Sequence, residues 1–97
     1  MLKLEKIQDS VRKYGEKYGA EKIYLFGSYA RGEATEESDV DLRIDRGNIA
    51  GGIALAGLLL DLEEDLGMPV DLITTGSLSQ DFLDSIKEEE KLIYAHQ

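Results

Sequence analysis

Two short stretches of this chain combine residue types and spacings that could do chemistry. The first contains Asp39 and Asp41, two positions apart in a run where polar and apolar residues alternate up to Asp45. Such alternation is typical of a half-buried β-strand, and it predicts that both carboxylates point to one face of a sheet. The second is Gly27-Ser28, which directly follows the apolar run Ile23 to Phe26.

A third carboxylate, Asp71, could join Asp39 and Asp41. It stands among apolar residues in Val70 to Thr74, which we interpret as another strand. If this strand pairs beside the first, mutual repulsion raises the pKa of at least one aspartate unless a divalent cation keeps all three charged. Mg²⁺ commonly binds carboxylates together with substrate phosphates, and two ions about 4 Å apart would clamp a displacement at phosphorus. Taken alone, an Asp-x-Asp pair is more often a solvated strand face.

The Gly27-Ser28 turn could hold phosphate groups. Gly27 can adopt a backbone conformation closed to other residues and lets a phosphate approach closely. Ser28 is expected to begin a short helix, where its N–H and hydroxyl could face an anion. The alternative is a strand-ending turn with a serine cap.

Three further polar residues near these motifs have two readings each. Arg31 could contact a departing pyrophosphate or pair with Glu33 or Glu37. Ser38 could orient a carboxylate or cap a turn. Arg43 should share the face of the strand aspartates, where it could contact a triphosphate or neutralise the cluster. It could equally pair with Asp45 or another carboxylate on that face.

The pattern along the chain predicts a small α/β (α+β) domain spanning residues 1–97. Apolar residues at helical spacing predict a first helix that ends near Gly19 and a long helix from Ile53 to Leu66. We expect a small mixed sheet with helices packed on one face and the site on the other. The last run, Leu92 to Tyr94, could be a short strand or a helix tail. The remaining predicted elements are strands at 22–26, 39–45 and 70–74, a short helix at 28–32, and a helix near 78–86, while Glu88 to Glu90 is interpreted as a solvated helix end.

Composition limits the partners of the chain. Its 97 residues carry a formal net charge of −9, which repels nucleic acid and anionic membranes and favours a basic protein partner. No cysteine is present, so disulfides and thiolate metal sites are excluded, and we expect a reducing, cytoplasmic setting. The longest nearly uncharged stretch, residues 47–60, is too short to span a bilayer.

Together these residues resemble the nucleotidyltransferases of the polymerase-β superfamily. The matching string is Gly27-Ser28, then Asp39-Val40-Asp41, then Asp71 on a later strand. The fuller run from Gly27 to Gly32 and from Ser38 to Leu42 is similar to the minimal nucleotidyltransferases known as MntA-type antitoxins, and the similarity covers nearly the whole chain.

The resemblance implies a function and a role for each residue. Asp39 and Asp41 would bind two Mg²⁺ ions, and Asp71 would help bind the ion that activates the attacking hydroxyl. Gly27 and Ser28 would hold the β- and γ-phosphates of ATP, with Arg31 and Ser38 as further candidates. AMP would pass to a tyrosine of a HEPN-family RNase toxin and silence it.

Two other functions stay open at this stage. The chain could be an antitoxin that works by binding and occlusion alone. It could also be a nucleotidyltransferase acting on a small hydroxylated molecule such as an aminoglycoside, although a chain of this size leaves little room for a second substrate-binding lobe.

Overall fold

The computed structural model describes residues 2–96, and its elements alternate between helix and strand as the sequence pattern predicts. Apolar residues recur every three or four positions in the first helix, whereas the strands are short and rich in β-branched residues. The elements are α1 (Leu4–Tyr18), β1 (Lys22–Phe26), α2 (Gly27–Arg31), β2 (Val40–Asp45), α3 (Gly51–Leu66), β3 (Val70–Thr74), a 3₁₀ turn (Thr75–Ser77), α4 (Gln80–Ile86) and β4 (Lys91–Ala95).

The four strands form one mixed sheet in the order β3-β2-β1-β4. Strand β1 pairs antiparallel with both β2 and β4, whereas β2 and β3 run parallel. The parallel pair is possible because α3 carries the chain back between the two strands. The predicted mixed sheet is confirmed, and the C-terminal run left open between strand and helix tail is a strand.

Helices α1 and α3 cover one face of the sheet and form the core with it. Every second residue of β2 points into this core, so Val40, Leu42 and Ile44 are fully buried while Asp41 and Asp45 are not. The hydroxyl of Tyr18 in α1 donates to Asp61 in α3 at 2.7 Å, which ties the two helices at their surface. The fully buried core residues include Ile7, Val11, Ile23, Leu25, Val40, Leu42, Ile44, Leu58 and Leu62.

The opposite face of the sheet is partly covered by residues 75–90, which we call the C-terminal segment. Phe82 of α4 packs its ring edge-on against Phe26 of β1, with 5.9 Å between the ring centroids. Ile86 of the same helix is buried. The outer face of β2 and β3, which carries the aspartates, therefore lies beside this segment and is only partly open to solvent.

Several predicted boundaries move by one or two residues. Helix α2 spans Gly27–Arg31 rather than residues 28–32, and α3 begins at Gly51 rather than Ile53. Strand β2 begins at Val40, so Asp39 lies in the preceding loop. The last helix begins at Gln80 rather than near residue 78, because Ser79, and not Ser77, accepts the N–H of Phe82 at 3.1 Å and caps it. Within residues 2–96, the structure contains no helix with the length and apolar character needed to cross a bilayer.

Leu62→Ala tests the assignment of the core. The side chain is fully buried, so its truncation should lower the free energy of unfolding by about 2–5 kcal/mol. Leu60→Ala is the matched control on the same helix, because Leu60 is 64% exposed and its truncation should change little. Urea unfolding of both variants makes the measurement, and equal losses would contradict the packing described.

Candidate active site

The pairing of two parallel strands brings Asp41 and Asp71 together. They occupy paired positions in the register of β2 and β3, and neighbouring strands lie roughly 4.8 Å apart. Because Val40 and Val70 point into the core, the two aspartates share the outer face of the sheet. The sequence predicts that Asp71 can lie beside Asp41 if their strands pair, and the strands do pair.

Asp39 lies outside the strand pairing that brings Asp41 and Asp71 together. It is exposed in the loop before β2, although it is near enough for its charge to raise the pKa of Asp41. Within residues 2–96, no three acidic or histidine side chains converge closely enough to hold a metal ion. The carboxylate oxygens are chemically suited to a hard divalent cation, but the three side chains must come closer together before they could share one.

The environment of Asp41 penalises its charge. Burial, followed by the neighbouring charges of Asp71 and Asp39, raises the pKa of Asp41 to about 6, while Arg31 opposes the shift. An added positive charge at this point would lower that pKa again. The site is therefore electrostatically unfavourable in its metal-free form and suited to a cation.

Glycine is strongly favoured at position 27, beside Asp41. Its φ is +75°, which favours glycine, and a Cβ at this position would overlap the carboxylate of Asp41. The turn is thus tightly packed against the aspartate strand. Ser28 follows in the first turn of α2, half-buried, and its carbonyl accepts the N–H of Glu33 at 2.9 Å.

Ser38 caps the loop that leads into β2. Its hydroxyl accepts the backbone N–H of Thr35 at 2.8 Å, and its own N–H donates to the carbonyl of Thr35 at 3.1 Å. Of the two interpretations given from sequence, the turn cap is the one seen here. A role in binding nucleotide stays a prediction.

Arg31 makes two ion pairs. Its Nε lies 2.7 Å from Glu33, as one interpretation of the sequence held, and its Nη1 lies 3.1 Å from Glu89. The side chain is 44% exposed, so these pairs contribute little to stability. Glu89 also accepts the backbone N–H of Gly27 at 2.8 Å.

Arg43 is buried, with only 8% of its surface exposed, and it is the centre of a polar network. Its guanidinium donates two bonds to Glu90, at 3.0 and 2.8 Å, and one to Thr75 at 2.9 Å. It also stacks on Tyr24 at 3.8 Å from the ring centroid and lies 3.6 Å from Asp45. The ion-pair interpretation of Arg43 is therefore the one this structure supports.

The interpretation of Glu88 to Glu90 as a solvated helix end is wrong for two of its members. Glu89 and Glu90 both turn inward, because β4 pairs antiparallel with β1 and sets Lys91 opposite Leu25. The residues just before Lys91 must then lie beside the end of β1, where Gly27 follows. In the sequence, the inward position of Glu89 and Glu90 is indicated only if the last apolar run is taken as a strand.

Comparison with known proteins assigns the chain to a family. The family described as "Polymerase beta, Nucleotidyltransferase" matches residues 5–97, so the chain belongs to this family of nucleotidyltransferases. The resemblance and the enzyme class inferred from the sequence are thereby confirmed. The family implies a nucleotide substrate and a divalent metal ion.

Relatives across nearly the whole length refine this similarity. A Methanocaldococcus jannaschii protein, provisionally named a protein adenylyltransferase, is 41% identical, with 97% of this chain and 99% of that protein aligned. "Protein adenylyltransferase MntA" of Thermococcus cleftensis is 37% identical, over 92% of this chain and 94% of its own. A solved structure described as a toxin-antitoxin with AMP-PNP superposes with a TM-score of 0.77 at 26% identity, covering 93% of this chain and 74% of that one.

Asp41→Asn should stabilise the protein in the presence of EDTA. The native pKa near 6 exceeds the ordinary value of 3.8, so the carboxylate destabilises the fold once it ionises. Wild-type stability from this group is full below about pH 4 and falls as the pH rises through about 6. The variant should therefore gain about 1–2 kcal/mol at pH 7.5, after allowance for solvent screening, and nothing at pH 3.5.

Chemical denaturation at both pH values makes this measurement. Asp9→Asn removes the same charge from an exposed position on α1 and serves as the control. A gain that is equal in the two variants, or independent of pH, would show that the environment of Asp41 is not the cause.

Arg43→Ala should destabilise the protein by about 3 kcal/mol, because it leaves the Glu90 carboxylate without its buried partner. Glu90→Gln removes the other half of the pair, and the double variant should lose clearly less than the sum of the two single losses. Urea unfolding of all three variants gives the coupling energy. Strict additivity would mean that the two residues do not depend on each other.

Proposed function

We propose that this chain is a Mg²⁺-dependent protein adenylyltransferase that acts as an antitoxin. It transfers AMP from ATP to a tyrosine hydroxyl of a HEPN-family RNase toxin and so neutralises that toxin. The observation that carries the proposal is the placement of Asp41 against Asp71, directly beside the Gly27 turn. Carboxylates for a cation and a glycine turn for phosphates are the two parts that nucleotidyl transfer needs in one place.

The aspartates have separate roles in this proposal. Asp39 and Asp41 would hold the divalent ions jointly, and Asp71 would help hold the ion near the acceptor hydroxyl. The bound cations supply charge neutralisation for the phosphates and make the hydroxyl easier to deprotonate. The carboxylates of Asp41 and Asp71 present oxygens on one face of the sheet, while their backbones stay fixed by the strand pairing.

The groups at the β1–α2 turn orient the nucleotide. The N–H of Gly27 and the residues of the first turn of α2 would face the β- and γ-phosphates, with Arg31 beside the departing pyrophosphate. The tyrosine oxygen attacks the α-phosphorus, the bond from that phosphorus to the bridging oxygen breaks, and pyrophosphate leaves. The tyrosine proton passes to solvent or to a neighbouring carboxylate.

Charge and size support a protein acceptor. The net charge of −9 suits a basic surface such as an RNA-cutting enzyme would present, and it disfavours direct contact with nucleic acid or membrane. Within residues 2–96 the structure offers one sheet, whose aspartate-bearing face carries the candidate site, so the partner would complete the acceptor pocket. The relative named MntA and the toxin-antitoxin structure with AMP-PNP support this partner class. We place the reaction in the reducing cytoplasm, in keeping with a chain free of cysteine.

Occlusion without chemistry is the competing function, and one observation favours it. Within residues 2–96, Asp39, Asp41 and Asp71 do not form a group that could hold a metal ion in this arrangement, whereas the proposed chemistry needs them to bind one together. A purely occluding antitoxin would need no such group. Transfer to a small hydroxylated molecule has no comparable support in the structure.

Label transfer from α-labelled ATP to a HEPN partner tests the proposal. With Mg²⁺, wild type should label the partner and abolish its RNase activity, and Asp39→Asn/Asp41→Asn should lower the rate by at least about a thousandfold. The control Glu5→Gln/Asp9→Asn removes two exposed charges from α1 and should behave as wild type. Replacement of the acceptor tyrosine by phenylalanine should remove the label.

The same experiment separates chemistry from occlusion. If the double aspartate variant still blocks the RNase in a stable complex, and wild type transfers no label, the antitoxin acts by binding. Transfer of label to an aminoglycoside but not to the protein would identify the small-molecule activity instead.

A further inference from the structure

The carboxylate of Glu89 accepts hydrogen bonds from the two donors that we assign to the phosphates of the nucleotide. Its Oε2 accepts the backbone N–H of Gly27 at 2.8 Å and lies 3.1 Å from Nη1 of Arg31. The Glu89 side chain is 23% exposed, so it lies against the site rather than out in solvent. A carboxylate and a phosphate oxygen accept the same donors, so the two cannot use them at once.

The main chain around Glu89 is fixed on both sides. The next residue, Glu90, is held by two hydrogen bonds from Arg43, and the preceding helix is anchored by buried Ile86. Beyond it, Lys91 enters the sheet opposite Leu25. The main-chain position of Glu89 is therefore set by the fold, so its exchange with a ligand would need only a rotation of its side chain away from Gly27.

The position of Glu89 affects the charge balance of the site as well as the space available to a ligand. Glu89 adds a negative charge near Asp41, whose pKa is already raised by burial and by Asp71 and Asp39. Its favourable contacts are the Gly27 amide and the Arg31 guanidinium. An incoming polyphosphate would replace these contacts, and divalent cations bound with it would offset the negative charge that it adds beside the aspartates.

We propose that Glu89 is a built-in competitor of the nucleotide triphosphate at Gly27 and Arg31, and that ATP binds only as the Glu89 side chain leaves. This inference rests on the proposed function in one respect, the assignment of phosphates to Gly27 and Arg31. It adds a self-inhibiting contact that limits nucleotide affinity and involves a residue outside the aspartate cluster.

Glu89→Gln tests the competition, because it removes the charge and keeps the size of the side chain. Loss of one charge-assisted competitor should raise the affinity for ATP, with Mg²⁺ present, by a factor of about ten. Inorganic tripolyphosphate should show the same gain, since the competition concerns phosphates alone. Glu88→Gln is the matched control, because it removes the same charge from the adjacent, exposed position and should leave both affinities within about twofold.

A ligand-free readout reports the contact itself. In the ¹⁵N–¹H spectrum the amide of Gly27 should shift in Glu89→Gln and Glu89→Ala but stay close to its wild-type position in Glu88→Gln. Titration of wild type with tripolyphosphate should move the same amide. Thermal unfolding of each variant checks that it is folded.

The outcomes distinguish this inference from the proposed function. Unchanged or weaker polyphosphate binding by Glu89→Gln, or an unmoved Gly27 amide, overturns the competition; weaker binding would make Glu89 a contributor to the site instead. Tighter binding by Glu89→Gln together with absent label transfer to the HEPN partner would support the competition and refute the proposed reaction. Normal transfer with equal affinities in wild type and Glu89→Gln would do the reverse.

Discussion

The cost of ionising half-buried Asp41 beside exposed Asp71 is the constraint on which the rest of this molecule depends, since burial and then the charge of Asp71 raise the pKa of Asp41. The parallel pairing of β2 with β3 forces Asp41 and Asp71 side by side on one face. The pairing itself is held by the apolar residues that alternate with them, Val40 and Leu42 on β2 and Val70 on β3, which lie in the core. Hydrophobic burial on one face thus stabilises an electrostatically unfavourable arrangement on the other.

The elements around this pair follow from the same constraint. A side chain at position 27 would collide with Asp41, so the chain turns there on a glycine in a left-handed conformation. The basic side chains nearby are each taken up by a glutamate: Arg31 lies against Glu33 and Glu89, and Arg43 against Glu90. The positive charge near the aspartates is therefore already partnered, and Arg31 offsets only part of the effect of burial and neighbouring charge on Asp41, whose pKa stays raised.

Most of the fold and the central pair could be predicted because they depend on local patterns. Alternation in residues 40–45 and the apolar run from Val70 fix two strands, and strands joined through one helix are commonly parallel neighbours. The one-residue change at Asp39 reflects the turn closed by Ser38, whose hydrogen bonds to Thr35 end the loop just before the strand. Sequence alternation alone does not report where such a turn stops.

The contributions of Glu89 and Glu90 could not be predicted from the same signals. Three consecutive glutamates after a short helix look like a solvated end, and nothing local distinguishes them. Their orientation depends on the register of β4 against β1, a contact between residues far apart in the sequence. The partner of Arg43 could not be predicted either, because the sequence places several carboxylates on the strand face that could pair with it.

The contacts of the C-terminal segment differ from those of the aspartate pair in the sequence distance they span. Asp41 and Asp71 meet through one strand-helix-strand unit, whereas Glu89 reaches Gly27 across 62 positions and is attached through β4 at the sheet edge. An edge strand and a two-turn helix open at lower free energy than central strands. Local opening of α4 and β4 would release Glu89 while β1, β2 and β3 stay paired, so amide exchange in α4 and β4 should be faster than in the central strands β1 and β2.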